Sequence, residues 1–274
     1  MIIDGHSHAC GRFLTPDGII NNLDTNGVDK VILVPGELNS KSEYSLPNIA
    51  SLFPRSNVVK VTNYLIKFIM KLTGKVKEIP FGNEHVYELT QKSNGRVIQF
   101  IWITTEINSP SDYLDYKKKD WNFKGVKLHQ CWEHFSVDSH FFREVALWAE
   151  NNDLPLFIHL FSNSEVTKII EYKKKHMRLK LVIAHLFGLE LFIKEKFKDE
   201  NIYFDISPFE LISQKRILKA INFVGADKVV FGTDTPYGGK GGIRTSIQRI
   251  NNIGISNNNK NLILGENIKR LLKI

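Results

Sequence analysis

Cysteine is nearly absent, with two residues in 274. Two thiols cannot build the disulfide framework of a small secreted domain. Long apolar runs are missing as well: no stretch approaches the ~20 residues that a membrane-spanning helix needs. The opening MIIDGHSHAC has neither the basic flank nor the apolar run of a signal peptide. These absences lead to the expectation of a cytoplasmic protein with no membrane partner. Arginine is scarce too, 9 of the 37 basic residues. The formal net charge of +8 is carried mainly by scattered lysines. Nucleic-acid recognition needs positive charge gathered on one face, so no specific nucleic-acid partner is expected. Disorder is excluded by an ordinary balance of 42% hydrophobic and 24% charged residues.

What is present is an alternation. Short, β-branched apolar runs fall at residues 2–5, 30–34, 97–103, 125–129, 156–159, 181–185, 202–206 and 229–232. Segments of helical period separate them, at 141–151, 164–176 and 211–224 for example. Runs such as PLFI and LVIA are apolar throughout, as strands buried on both faces must be. Eight strands, each followed by a helix, predict an α/β fold, a (β/α)8 TIM barrel over residues 1–274. The rival, a doubly wound open sheet, would carry a Gly-rich phosphate turn after its first strand, where Gly5-His6-Ser7-His8 stands instead. One segment exceeds the spacing. Residues 36–82 form an insertion after strand two, with a helical pattern over 58–72 that reads as a lid or dimer-forming element, or as a helix packed on the barrel side.

His6 and His8 close the first strand two residues apart and so share a face. A pair of imidazoles at that spacing suits a divalent metal, although a single buried histidine is more often a packed core residue. Other strand ends supply context. Lys127 and His129 close GVKLH, His159 closes PLFIH, His185 closes LVIAH, and Asp234 follows VVFG. In a barrel these ends converge on one mouth. Histidines with one carboxylate make a donor set suited to Zn2+, Mn2+ or Fe2+. Cys10 and Cys131 each follow a histidine by two residues and are expected to pack passively. Trp132, Glu133, His134 and Phe135 are expected in the loop after the fourth strand, where they either select substrate, Trp132 first among them, or pack the loop, and Tyr237, in a Gly-rich loop, is expected near a substrate.

In the order IIDGHSH, GVKLH, PLFIH, LVIAHLFG, VFGTDTP and ILGENIKRLL, these motifs resemble the amidohydrolase superfamily. The similarity is to the amidohydrolase-related branch that includes aminocarboxymuconate-semialdehyde decarboxylase, and it spans the chain outside the insertion. The resemblance implies that His6, His8, His159 and Asp234 hold a metal, most often zinc. His185 would act as acid/base or, with a carbamylated Lys127, as a ligand of a second ion. Asp234 would be the base that activates water. Lys127, as an ordinary ammonium, could instead hold a substrate carboxylate with His129, Trp132 and Tyr237.

The expected activity is metal-dependent hydrolysis of a C–N or C–O bond in a small carboxylate-bearing metabolite, by an enzyme that forms a homodimer. The alternative within the same branch is non-oxidative decarboxylation of an unsaturated or aromatic acid. A TatD-like nuclease ranks lower, because the third strand ends Ile101-Trp102-Ile103-Thr104 with Glu106 as its nearest acid. A non-catalytic metal-binding protein on the same scaffold is the remaining reading.

Overall fold

The structure is a computed structural model that describes residues 1–44, 47–73, 78–239 and 241–274. Positions 45–46 and 74–77 of the insertion, and position 240, lie outside the described residues. Eight parallel strands run β1 (Ile3–His8), β2 (Lys30–Val34), β3 (Val97–Trp102), β4 (Gly125–His129), β5 (Leu156–His159), β6 (Leu181–Ile183), β7 (Ile202–Asp205) and β8 (Val229–Val230). Each pairs with the next in sequence order. The ring closes where β1 meets the chain around β8: Gly5 N donates to Phe231 O at 2.9 Å and His8 N to Thr235 O at 2.8 Å. The arrangement is a (β/α)8 barrel.

Helices α1 (Pro16–Asn26), α5 (Pro110–Asp120), α6 (His140–Asn151), α7 (Asn163–Lys175), α8 (Leu189–Lys194) and α9 (Gln214–Val224) are among those that cover the outside. Several begin on a hydroxyl: Thr15, Ser139, Ser162 and Ser213 each accept from the backbone N–H three residues on. Their apolar stripes pack on outward strand residues such as Val31, Ile101, Val126 and Ile158. Inward residues, among them Ile32, Phe100, Phe157, Val182 and Val230, fill the barrel itself. Strand residues therefore alternate between two apolar environments, which is why the sequence shows unbroken apolar runs.

Five strand C-termini differ from the sequence expectation, those of β3, β7 and β8 by one or two residues. β6 stops at Ile183 rather than 185, because His185 and Leu186 turn into left-handed backbone at φ 58° and 48°. β1 extends to His8, held by the bonds that close the ring. The insertion contains the short α2 (Ile49–Leu52) and α3 (Val59–Thr73). It ends in α4 (Ile79–Lys92), the crossover helix to β3, whose Asn83 exchanges two 2.8 Å bonds with the backbone of Trp102.

Ring closure requires a residue without a side chain at position 5. A Cβ there would stand 2.6 Å from Phe231 O and 3.1 Å from Ile268 Cδ1. Gly5→Ala is expected to cost about 1–3 kcal/mol through overpacking. Urea unfolding should show this as a lower midpoint at unchanged slope.

Candidate active site

The C-terminal strand ends place the candidate residues around one cavity of about 240 Å³. His6 and His8 come from β1, His129 and His159 from the paired ends of β4 and β5, His185 from the turn after β6, and Asp234 from the loop after β8. The imidazoles form a continuous arc. Ring centroids lie 4.1 Å apart for His129 and His159, 4.5 Å for His159 and His185, 5.1 Å for His185 and His6, and 5.5 Å for His6 and His8. His6, His8 and Asp234 bring ligand atoms within 4.8 Å of one another. His159, expected beside them, instead groups with His129 and Cys131, and His185 groups with His6 and Asp205.

Hydrogen bonds fix the tautomers. His8 Nδ1 donates to Pro35 O at 2.8 Å, and His185 Nδ1 donates to Ser207 O at 2.7 Å. His6 Nδ1 lies 3.2 Å from Asp205 Oδ2 and 2.9 Å from Ser207 Oγ. The carboxylate accepts, so His6 also carries its proton on Nδ1. Nε2 of both His6 and His8 is left as a lone pair, 3.5 and 3.3 Å from Asp234 Oδ1. Three acceptors converging on one point are a donor set that a divalent cation fits. His159 is set the other way. Asn63 donates to Leu160 O at 3.0 Å, so its Oδ1 accepts from His159 Nε2 at 2.9 Å. This leaves His159 Nδ1 buried without a partner, a further free acceptor.

Burial pushes the His6, His129 and His159 rings well below their ordinary pKa, and the Lys127 charge adds to it. They are neutral imidazoles, the form that binds metals. Burial would raise the Asp234 carboxyl, but positive charge on the His6, His8 and His185 rings, wherever one of them is protonated, outweighs it and holds Asp234 below the usual carboxylate range. Asp234 and His185 share a second property: both have φ 58°. Backbone strain of this kind, roughly 1–3 kcal/mol per residue, persists where surrounding bonds enforce it. Asp234 N donates to His6 O at 2.7 Å, and His185 N to Asp205 Oδ2 at 3.0 Å.

Lys127 is fully buried, lies over the Phe157 ring at 4.0 Å, and donates from Nζ to His6 Nε2 at 3.1 Å. Burial lowers its pKa to about 8. It contributes to no wall of the cavity, unlike His129, Trp132 and Tyr237. The reason is depth: Lys127 lies two residues below His129 on the same inward face, level with the barrel packing. Burial pushes both cysteine thiols up to about 12, which leaves them protonated and passive.

The roof comes from the insertion. Val59, Thr62, Leu65, Ile66 and Ile69 of α3 line the cavity, together with Glu37 and Tyr44. Tyr44 stacks on Tyr237, whose ring meets His8 edge-on. Sequence reasoning missed Asp205, Asn63, Glu37 and Tyr44. Asp205 ends an apolar run like the other strand-end residues. Asn63 is a lone amide on the same helical face as Val59 and Ile66. The Asn63 signal was available, whereas the Asp205 signal is shared with ordinary strand terminators.

Residues 69–274 match the family model described as amidohydrolase. The chain belongs to the amidohydrolase family. No curated protein matches its sequence. Among solved structures, this amidohydrolase is similar to 2,6-dihydroxybenzoate decarboxylase from Rhizobium, with 14% identity, 99% and 98% of the two chains covered and a TM-score of 0.72. It is also similar to a probable 2-pyrone-4,6-dicarboxylic acid hydrolase from Acinetobacter baumannii, with 13% identity, 100% and 99% coverage and a TM-score of 0.69. A third is 5-carboxyvanillate decarboxylase from Novosphingobium aromaticivorans, complexed with manganese, with 12% identity, 100% and 96% coverage and a TM-score of 0.68. At these identities the likeness establishes the shared fold.

Beside Trp132, Glu133 braces the rim rather than facing the cavity. Its Oε2 accepts from Thr105 N and Oγ1, while Oε1 is buried without a partner. Burial raises its pKa from 4.5 to about 7. Its contribution to stability is therefore full below pH 4.5 and lost as pH rises through about 7. Glu133→Gln removes that loss, so the variant should gain on the parent by on the order of 2 kcal/mol between those limits. Parallel urea titrations at the two pH values would check it, and an unchanged difference would contradict it.

Proposed function

We propose that this amidohydrolase is a metal-dependent hydrolase that cleaves a C–N or C–O bond, as in an amide, lactam or lactone, of a small molecule with an apolar body. The observation that carries this reading is the convergence of three acceptors, His6 Nε2, His8 Nε2 and Asp234 Oδ1, at the end of a largely apolar cavity. His6, His8 and Asp234 would hold one divalent ion, with His159 as a further ligand through its free nitrogen. Two imidazoles and a carboxylate favour zinc, with manganese or iron as the next choices. Such an ion supplies Lewis-acid polarisation of a carbonyl and lowers the pKa of a bound water toward ~7.

The chain's own residues supply the proton movements. Asp234, held ionised, accepts the proton of the attacking water and returns it to the leaving nitrogen or oxygen. His185 has Nδ1 committed to Ser207 O, so Nε2 is its free ring nitrogen. It serves as a proton acceptor or, once protonated, as a donor to a developing oxyanion. Lys127 Nζ holds the His6 Nε2 lone pair in the absence of an ion and would give up that contact once His6 ligates one. The α3 roof excludes water from the apolar part of the cavity.

One observation favours decarboxylation of an aromatic or unsaturated acid as the second reading. Among the described residues no Lys or Arg lines the cavity, so the ion site is where a carboxylate would be drawn, while Tyr44, Trp132 and Tyr237 suit a planar ring. Two of the similar structures are decarboxylases of such acids.

Protein loaded separately with zinc and manganese should convert members of a lactone and amide panel without releasing CO2. CO2 release from aromatic acids with no cleavage in the panel would replace the first reading by the second. Asp234→Asn should lower kcat by roughly 10²–10⁴ at similar KM. Undiminished turnover with metal still bound would remove Asp234 as the base.

A further inference from the structure

Helix α3 has three faces. Val59, Asn63 and Ile66 turn toward the barrel, and Asn63 is fully buried. Val61, Leu65, Phe68 and Leu72 recur at i, i+4, i+7 and i+11, the spacing of a single helical stripe. They are 74%, 60%, 61% and 71% exposed. Lys60, Lys67 and Lys71 follow the same spacing along one edge of that stripe. Contiguous large apolar side chains on this scale mark an interaction surface.

Charge identifies the partner. From residue 44 to residue 77 the sequence contains six Lys or Arg and no Asp or Glu. A second copy of the chain would offer this face the same uncompensated lysines. An antiparallel pairing of the two helices would set lysine edge against lysine edge. An anionic bilayer meets both requirements: an apolar layer for the stripe and acidic headgroups for the lysine edge.

We propose that α3 seats this protein on the surface of anionic lipid bilayers, with Val61, Leu65, Phe68 and Leu72 in the acyl boundary and the lysine edge at the headgroups. The expectation of no membrane partner rested on spanning segments, and among the described residues no helix is long and apolar enough to cross a membrane. An interfacial helix needs only an apolar face and a basic margin. Leu65 and Ile69 belong to the exposed surface and also to the cavity wall, so the seated face borders the site. The inference is independent of which reaction the site performs.

The test is co-sedimentation of the full, metal-loaded chain with vesicles of phosphatidylcholine alone or mixed with phosphatidylglycerol. Binding should require phosphatidylglycerol and fall with added salt. Each basic residue near an anionic surface is worth about fivefold in affinity, so Lys60→Gln with Lys71→Gln should weaken binding about 25-fold. Phe68→Ser with Leu72→Ser, at exposed positions, should abolish it while circular dichroism stays unchanged. No binding to the mixed vesicles, or equal binding to both kinds, overturns the proposal. So does a stable dimer, seen by light scattering, that the serine variant dissociates, because the face is then covered by a second copy.

Discussion

A single buried carboxylate organises the mouth of this barrel. Asp205, at the end of β7, is fully inaccessible to solvent. It accepts from Ser207 N and Oγ, from His185 N, and from His6 Nδ1. A carboxylate removed from water is tolerable only when its oxygens are met by donors. Here those donors come from β1, from the turn after β6 and from the loop after β7. Satisfying Asp205 thereby fixes the tautomer of His6 and the left-handed backbone of His185 in one step. The position of Asp234 follows, because its N–H is tied to His6 O. The geometry of the candidate ligands is thus a consequence of solvation physics one layer behind them.

Asn63 plays a comparable part for the roof. Helix α3 has few polar side chains facing inward, and this amide hydrogen-bonds to both the β5 end and the loop beyond it. A wholly apolar inner face could slide over the barrel at little cost. One buried amide, with a defined donor and a defined acceptor, selects a single register. The same bond makes the roof and His159 mutually dependent, so a change in one is felt by the other.

The barrel was legible from sequence because parallel strands buried on both faces cannot alternate, and the apolar runs bounded by turns are long enough to count. The histidines were legible because strand C-termini converge, whatever their separation along the chain. Asp205 was not, since its meaning lies in His6, 199 residues away, and an Asp after an apolar run is also an ordinary strand terminator. Lys127 was placed on the correct face by the two-residue period, but periodicity carries no depth. Only the packing shows that it supports His6 from within. The end of β6 escaped for a similar reason: the turn at His185 is imposed by a tertiary hydrogen bond and has no glycine to announce it.

The filled interior of the barrel has a kinetic consequence. Below Lys127 and Phe157 the lumen is closed by Ile32, Phe100, Val182 and Val230, so among the described residues the reaction chamber is a blind alley whose door lies at the strand C-termini. Whatever enters must leave by the way it came. With two products of unequal size, the one nearer the door departs first, and the deeper one retards the next arrival. Order of release is therefore written into the architecture before any chemistry is assigned.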